Sequence, residues 1–244
     1  MNFLKNHPFA VEAFFEKSIV VTYAVPKEQL IRLIPECLEL DTFQDKWAFL
    51  AVALVQTKDL RPKGFPRFLG NDFFLIGYRI FVRYKTNKGK NIRGLYILKS
   101  ETDSKKMEVL GNIFTHYSYS TIDINIVKNE KLTTMFSINS GFELTLDEQV
   151  EEIGLPVESP FSNFKEARRF AGPLPHTFHY DDKSKKVVIV EGVREHWEPK
   201  PIQVQSVHFD FINSMKLSGV FLANSFEINQ IPYFWKKGRT EKWI

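Results

Sequence analysis

Residues 73–102 read FFLIGYRIFVRYKTNKGKNIRGLYILKSET, and this stretch decides the fold class. Two runs rich in aliphatic and aromatic residues flank a polar, glycine-containing turn at residues 87–91, a pattern that predicts a β-hairpin. Side chains alternate between the two faces of a strand, so Arg79 shares one face with Gly77, while the opposite face is uniformly apolar. We expect Arg79 either to line a cavity or to emerge at an edge and pair with a carboxylate.

The rest of the chain repeats this strand-rich pattern. Residues 107–127 are predicted as a strand pair or one bent strand with Gly111 at the bend. Short helices are predicted after Pro26 and within residues 159–172. Further strands are predicted at residues 18–25, in hairpins at 38–60 and 176–193, and at 203–212 and 223–235. The fold class is therefore α+β and β-dominated, with a curved antiparallel sheet or half-closed barrel and a few short helices. We expect one domain over residues 1–244, with an internal seam near 145–162.

The amino-acid composition narrows the classes of protein to which this chain could belong. The formal charge of +4 is spread along the chain, and the one dense basic cluster, KKGRTEK at 236–242, fits a solvated tail better than a nucleic-acid surface. No run approaches the roughly 18 apolar residues of a membrane span. The single cysteine, Cys37, forms no internal disulfide, which favours a cytoplasmic location. The 23 phenylalanines indicate a thick core or an apolar cavity.

Several motifs in order carry a family resemblance: VPKEQLIRLIPECLELDTF (25–43), LRPKGFP (60–66), YRIFVRY (78–84), YILKSETDS (96–104) and THYSY (115–119). Residues 19–239 resemble an uncharacterised bacterial family of the acetoacetate decarboxylase-like superfamily. The resemblance implies a curved sheet that encloses a pocket for a small carbonyl compound or carboxylic acid. It also matches Arg79, His116 and Tyr119 to the family pattern.

The catalytic lysine of that superfamily has no counterpart here. Acetoacetate decarboxylases form a Schiff base on a lysine whose pKa is lowered by an adjacent lysine. The resemblance places that pair near Tyr119 and Ser120, whereas Lys105 and Lys106 fall in a polar turn where we expect solvated ammonium groups.

Residues 73–102 contain one other candidate lysine and two further differences from the family. Lys99 follows Leu95 and Ile97 on one face, so we expect it either to enter the cavity or to extend to water. The family's glutamate and asparagine ahead of the arginine are Leu75 and Gly77 in this chain. A Schiff-base mechanism is therefore not predicted.

The remaining candidates are groups that bind anions or move protons. Arg79 could clamp a carboxylate by two parallel hydrogen bonds, and His116 and Tyr119 could handle protons, although an ideal strand would direct these two to opposite faces. The alternatives are a core histidine and a tyrosine at a rim. Glu191 follows four apolar residues, so it is either a cavity acid held by Arg169 and Arg194 or a structural ion pair at a strand end.

We expect no metal and no organic cofactor. His176 and His179 lie three residues apart beside two aspartates, but a hairpin turn explains the same letters, and no third ligand is implied. The first hypothesis is a small-molecule enzyme, lyase- or decarboxylase-like, that acts on a keto acid or related carboxylate without the usual Schiff-base lysine. The second is a non-catalytic pocket protein that binds an apolar carboxylate. A homo-oligomer is compatible with either.

Overall fold

The structure, a computed structural model, describes residues 3–195 and 197–243. Strands dominate this part of the chain and form two sheets. The strands are β1 (Val11–Pro26), β2 (Glu39–Leu40), β3 (Trp47–Pro62), β4 (Asn71–Lys85), β5 (Asn91–Thr102), β6 (Tyr119–Thr121), β7 (Asn125–Lys128), β8 (Leu132–Ser137), β9 (Phe142–Asp147), β10 (His176–Asp181), β11 (Lys186–Arg194), β12 (Lys200–Pro201), β13 (Gln203–Phe209), β14 (Phe221–Trp235) and β15 (Arg239–Lys242). The α-helices are α1 (Lys27–Leu30), α2 (Lys105–Phe114), α3 (Phe164–Ala171) and α4 (Asp210–Ser214), and two 3₁₀ turns span Ile31–Leu33 and Arg67–Leu69.

The larger sheet curls around an interior. Its hydrogen-bonded neighbours follow the order β12, β14, β1, β3, β4, β5, β10, β11 and β15. Residues 192–194 of β11 also pair with residues 233–235 of β14, so the path of pairings returns to β14. The β-dominated α+β prediction is confirmed, and the sheet is mixed, because β6 and β10 run parallel to β5. Parallel pairing requires a long crossover, and the chain between β5 and β10 supplies one.

The smaller sheet, in the order β13, β9, β8, β7, packs on one face of the larger sheet. Tyr78 of β4 is fully buried there, and its ring meets Phe209 of β13 edge-on with the centroids 5.9 Å apart. Leu144 of β9 belongs to the same core cluster. The two sheets therefore share one hydrophobic core.

Strand β4 separates the shared core from the interior of the curled sheet, as the alternation of its side chains predicts. Ile76, Tyr78 and Ile80 have no exposed surface and belong to the shared core. Arg79 and Phe81 face the other way, into the interior of the curled sheet. One strand thus builds both the core and a cavity wall, which is why it reads as apolar on both faces.

The prediction of strands throughout residues 107–127 is wrong, because α2 occupies residues 105–114. The Ser104 hydroxyl caps this helix by accepting a hydrogen bond from the Met107 backbone N–H at 3.3 Å. Met107 and Gly111, four residues apart, form its buried side. Gly111 is therefore a helix contact and not a bend.

The predicted hairpin at residues 38–60 is also replaced by another pairing. Strand β2 pairs with β4, while the turn before β3 is closed only by a bridge between Phe43 and Trp47. Both predicted hairpins around residues 73–102 and 176–193 are confirmed.

The basic segment 236–242 is not a solvated tail. Its last residues form β15, which pairs with β11, and the Glu241 carboxylate accepts a hydrogen bond from the Asn87 backbone N–H at 3.0 Å. The neighbouring Trp243 packs against the shared core. No helix within residues 3–195 and 197–243 combines the length and apolar character needed to cross a bilayer.

Candidate functional site

A cavity of about 130 Å³ lies inside the curled sheet. Its walls come mainly from β1, β3, β4, β5, β11 and β14, with β6 and the segment 171–175 closing the remaining side. Most of the lining is apolar. The polar residues in the lining are Ser18, Arg79, Ser100, Tyr117, Tyr119, Thr177, Arg194 and Tyr233.

Arg79 is a buried cation with space for a ligand. Its side chain folds over Gly77, where an added Cβ would lie 2.9 Å from Arg79 Nε, so Gly77 is the residue that accommodates the guanidinium. Among the described residues, Arg79 forms no ion pair and its Nε has no hydrogen-bond partner. Burial lowers the pKa of Arg79, the nearby tyrosines act in the opposite direction, and Arg194 adds to the lowering. An arginine nevertheless stays protonated in a protein.

Arg194 is the second cation of the cavity. Its guanidinium lies 4.6 Å from the Trp197 ring and 5.9 Å from the Tyr233 ring, and its Nε also lacks a hydrogen-bond partner within the described part of the chain. Arg194 also borders an outer vestibule of about 680 Å³ that contains several charged side chains. It therefore stands where the cavity meets more open space.

Three tyrosines supply the hydroxyl groups of the cavity. The Tyr117 hydroxyl is hydrogen-bonded to Thr177 Oγ1 at 2.7 Å. Burial raises the pKa of Tyr117 and of Tyr119, so both phenols are neutral donors at physiological pH. Tyr233 lies over Gly192, where an added Cβ would be 2.1 Å from the phenol oxygen. These contacts place neutral hydroxyl groups near the two cations.

Tyr119 is held from both sides. Its backbone is clamped by Asn112, whose amide donates to the Tyr119 carbonyl at 2.8 Å and accepts from the Tyr119 N–H at 2.9 Å. Its ring lies against Gly111 of α2, where an added Cβ would be 2.4 Å from the ring. The helix that the sequence analysis missed therefore positions one of the predicted site residues.

The sequence matches a family model over residues 13–237, and that family is described as DUF2071, an uncharacterized conserved protein. The chain belongs to this family. The predicted family resemblance is confirmed. No curated protein matches the sequence.

Solved structures with the same fold are acetoacetate decarboxylase-like. The acetoacetate decarboxylase of Legionella pneumophila has a TM-score of 0.60 at 10% identity, over 98% of this chain and 90% of that one. An acetoacetate decarboxylase-like enzyme from Sphingomonas wittichii RW1 gives 0.60 at 11%, over 96% and 93%. The enduracididine biosynthesis enzyme MppR, complexed with pyruvate, gives 0.57 at 11%, over 97% and 92%. These likenesses establish an acetoacetate decarboxylase-like fold.

Lys99 lies on the opposite side of the sheet from the cavity. Arg79 pairs with Ile97, but Tyr78 pairs with Lys99, so Leu98 is an extra residue in β5, a β-bulge. The bulge turns Lys99 to the face of the shared core, where its Nζ pairs with the buried Glu101 carboxylate at 2.5 Å. Of the described residues, no lysine lines the cavity.

His116 and Glu191 are not brought into the cavity. The His116 ring stacks on His179 with the centroids 3.7 Å apart, and its Nε2 lies 3.0 Å from Asn6 Oδ1. The Glu191 carboxylate pairs with Lys236 at 2.9 Å and is 41% exposed. The structure therefore fits the predicted alternatives, a packed histidine and a strand-end ion pair.

Arg169 also lies outside the cavity, exposed on α3, with its guanidinium 5.5 Å from the Phe170 ring. Of the predicted site residues, the structure brings together Arg79, Tyr119 and Arg194. Tyr117 and Tyr233 were not among the predicted site residues. Tyr117 could have been found from its spacing of two residues from Tyr119, which puts both on one face of an extended chain.

A separate cluster of histidines predicts loss of stability in acid. Burial lowers the pKa of His7 from 6.5 to about 4, and His116 adds to the effect; burial likewise lowers the pKa of His179 to about 4. The folded state therefore holds both rings neutral, while the unfolded chain protonates them near pH 6.5. The contribution of His7 to the free energy of unfolding is fully present above about pH 6.5, and it falls by about 3 kcal/mol as the pH drops to about 4.

Urea denaturation across that range measures this dependence. His7→Gln should reduce the slope of unfolding free energy against pH, because glutamine does not titrate in this range. Equal slopes in wild type and His7→Gln would contradict the assignment.

Proposed function

We propose that this chain is a small-molecule enzyme, lyase- or decarboxylase-like, that acts on a keto acid or related carboxylate. The observation that carries the proposal is the pair Arg79 and Arg194, two cations at one cavity without an acidic partner among the described residues. A buried charge without a counter-charge costs several kcal/mol. Both guanidinium groups are partly buried, and Arg194 is near enough to lower the pKa of Arg79, so the site is suited to an anionic ligand, which would supply the missing partner.

Two guanidinium groups fit the two oxygen-bearing groups of a keto acid. Arg79 lies beside Tyr117 and Tyr119, so we assign the carbonyl oxygen to Arg79 and these hydroxyls. Arg194 borders the vestibule, so we assign the carboxylate to Arg194. In this pose the deepest cation faces the oxygen at which negative charge develops during carbon–carbon cleavage.

For a 3-oxo acid, cleavage without a Schiff base would proceed through an enolate. The electron pair of the bond between the carboxyl carbon and C2 forms a double bond between C2 and C3, the electron pair of the C3 carbonyl moves to its oxygen, and carbon dioxide leaves. Arg79 and the phenol donors stabilise the enolate oxygen in a site of low dielectric, where fixed donors are most effective. The enolate carbon then takes a proton from the Tyr119 hydroxyl, which regains one from solvent. Arg194 binds the carboxylate in the ground state, so its contribution is to substrate binding.

The second candidate, a non-catalytic pocket protein, is favoured by one specific observation. The lining drawn from the described residues contains no carboxylate, histidine or lysine, and therefore no conventional general base. Such a cavity can bind an apolar carboxylate without turning it over. The two candidates differ in turnover and not in binding.

One incubation separates these mechanisms. With acetoacetate or 3-oxohexanoate, we expect carbon dioxide release above the protein-free rate, and borohydride added during turnover should leave no reduced adduct on any lysine peptide. The physical reason is that Lys99 is paired on the other face of the sheet and Lys105 pairs with Glu108 at 2.8 Å on the surface. Lys106 is exposed on α2 and does not line the cavity.

Each outcome has a defined meaning. A stoichiometric borohydride adduct would contradict the mechanism without a Schiff base. Binding without carbon dioxide release would reject the enzyme in favour of the pocket protein. Absence of both binding and turnover would reject both.

A further inference from the structure

An apolar groove of about 390 Å³ lies next to the cavity, within the size range of ligand sites. It runs between α2 and residues 57–73, and Leu110 and Phe114 of α2 form part of one wall. Phe65 and Leu69 line the opposite side, and both remain about half exposed at 53% and 46%. Apolar side chains held open in this way provide a surface for an apolar ligand.

The groove and the cavity share their dividing wall. Leu75, Tyr117, Tyr119 and Trp235 line both spaces. The wall at this point consists of side chains, and two of them carry the hydroxyl groups next to Arg79. A ligand that reaches from one space to the other therefore passes beside Tyr117 and Tyr119.

The end of the cavity at Arg194, opposite the groove, opens into charged surroundings. Beyond Arg194, the vestibule is lined by charged residues, including Glu12, Asp59 and Glu195. Arg61 pairs with Glu12 at 2.7 Å and borders both the vestibule and the groove, whose lining is mainly apolar apart from Arg61 and Lys106. Desolvating the charged groups of the vestibule against a hydrocarbon chain would be unfavourable. An apolar extension of a bound carboxylate is therefore expected to run away from Arg194, and the groove, at about 390 Å³, is larger than the other apolar space that borders the cavity, at about 200 Å³.

We infer that the ligand is a keto acid with an apolar chain of several carbons, and that this chain lies in the groove along α2. The inference rests on the proposed function. The order of the spaces, from groove to tyrosines and Arg79 and then to Arg194, matches the order of chain, carbonyl and carboxylate in such an acid. The groove thereby sets the chain-length specificity of the site.

Calorimetric titration with pyruvate, 2-oxohexanoate and 2-oxooctanoate tests this assignment on the full chain, because 2-oxo acids cannot lose carbon dioxide through an enolate and therefore report binding alone. Burial of each methylene is worth about 0.8 kcal/mol, so we expect roughly fourfold tighter binding per methylene from the shortest to the longest acid. Leu110→Gln should weaken 2-oxooctanoate by about tenfold and leave pyruvate nearly unchanged. Val109→Gln is the matched control, because Val109 is the preceding residue of the same helix, is 50% exposed and does not line the groove.

The outcomes separate this inference from the function on which it rests. Pyruvate binding without a gain from longer chains would overturn the inference alone. A gain with chain length that is the same in Leu110→Gln and Val109→Gln would also overturn it, because the chain would then lie elsewhere. Failure of all three acids to bind would reject the anion site itself and the proposed function with it.

Discussion

Arg79→Met is expected to leave a folded protein that has lost its affinity for small carboxylates. Methionine keeps an apolar stem of similar length beside Gly77 but removes the charge. Arg79 is assigned to the carbonyl oxygen, and a hydrogen bond to a charged group is worth about 1.5–3 kcal/mol, so the dissociation constant of pyruvate should rise about 10- to 150-fold. Isothermal calorimetry measures the loss directly.

The same substitution should not lower the stability of the ligand-free protein. Arg79 forms no ion pair with the described residues, so its removal leaves no orphaned carboxylate and relieves the desolvation of a buried cation. The ligand-free melting temperature should be equal to that of wild type or higher. Arg169→Met, an arginine exposed on α3, is the control that should change neither property. Unchanged binding in folded Arg79→Met would remove the anion site, and a large drop in melting temperature would show a structural arginine.

The alternation of side chains in a single strand was enough to predict on which face of β4 Arg79 lies. In β4 every second residue enters the shared core, which requires the residues between them to face the interior of the curled sheet. The sequence signal was strong because both faces of this strand are largely buried and Arg79 lies between apolar neighbours, whereas Arg83 on the same face is near the strand end and pairs with Asp41. Local pattern and tertiary placement therefore agree at this position.

Lys99 shows why the same rule failed one strand away. Its face was predicted by counting from Leu95 and Ile97, but the bulge at Leu98 shifts the count by one residue. A bulge arises from the match between two neighbouring strands, and nothing in the sequence of β5 alone marks it. A single extra residue thus separates a predicted cavity lysine from the cavity.

Tyr119 and Glu191 show a second limit of predicting site residues from the local sequence pattern. Tyr119 reaches the cavity because Gly111 and Asn112 of a helix hold it, and that helix was interpreted as a strand. Glu191 lies outside because its partner is Lys236, 45 residues later in the chain. Contacts between distant segments determine such placements, and a periodicity of two residues carries no information about them.

The largest effect on stability is expected at Asp41, which follows β2. Its side chain is 1% exposed and accepts hydrogen bonds from Arg83, at 2.6 Å from Nη2, and from Arg93. Arg93 also donates to the carbonyl of Phe170 at 2.9 Å, so the cluster fixes the end of α3 next to the cavity segment 171–175. Asp41→Asn removes the charge that both arginines share. We expect a loss of about 3 kcal/mol in the free energy of unfolding.

The expected loss lies at the lower end of the range for buried pairs, because the side chains of Arg83 and Arg93 are 38% and 34% exposed and water compensates part of their charge. Asp182→Asn is the matched control, since Asp182 pairs with Lys185 at a surface where its side chain is 79% exposed, and its loss should be below about 0.5 kcal/mol. Urea denaturation of the three proteins measures both differences. If Asp41→Asn and Asp182→Asn were equally stable, the buried cluster would contribute no more than a surface pair, and α3 would be held in place by its apolar contacts alone.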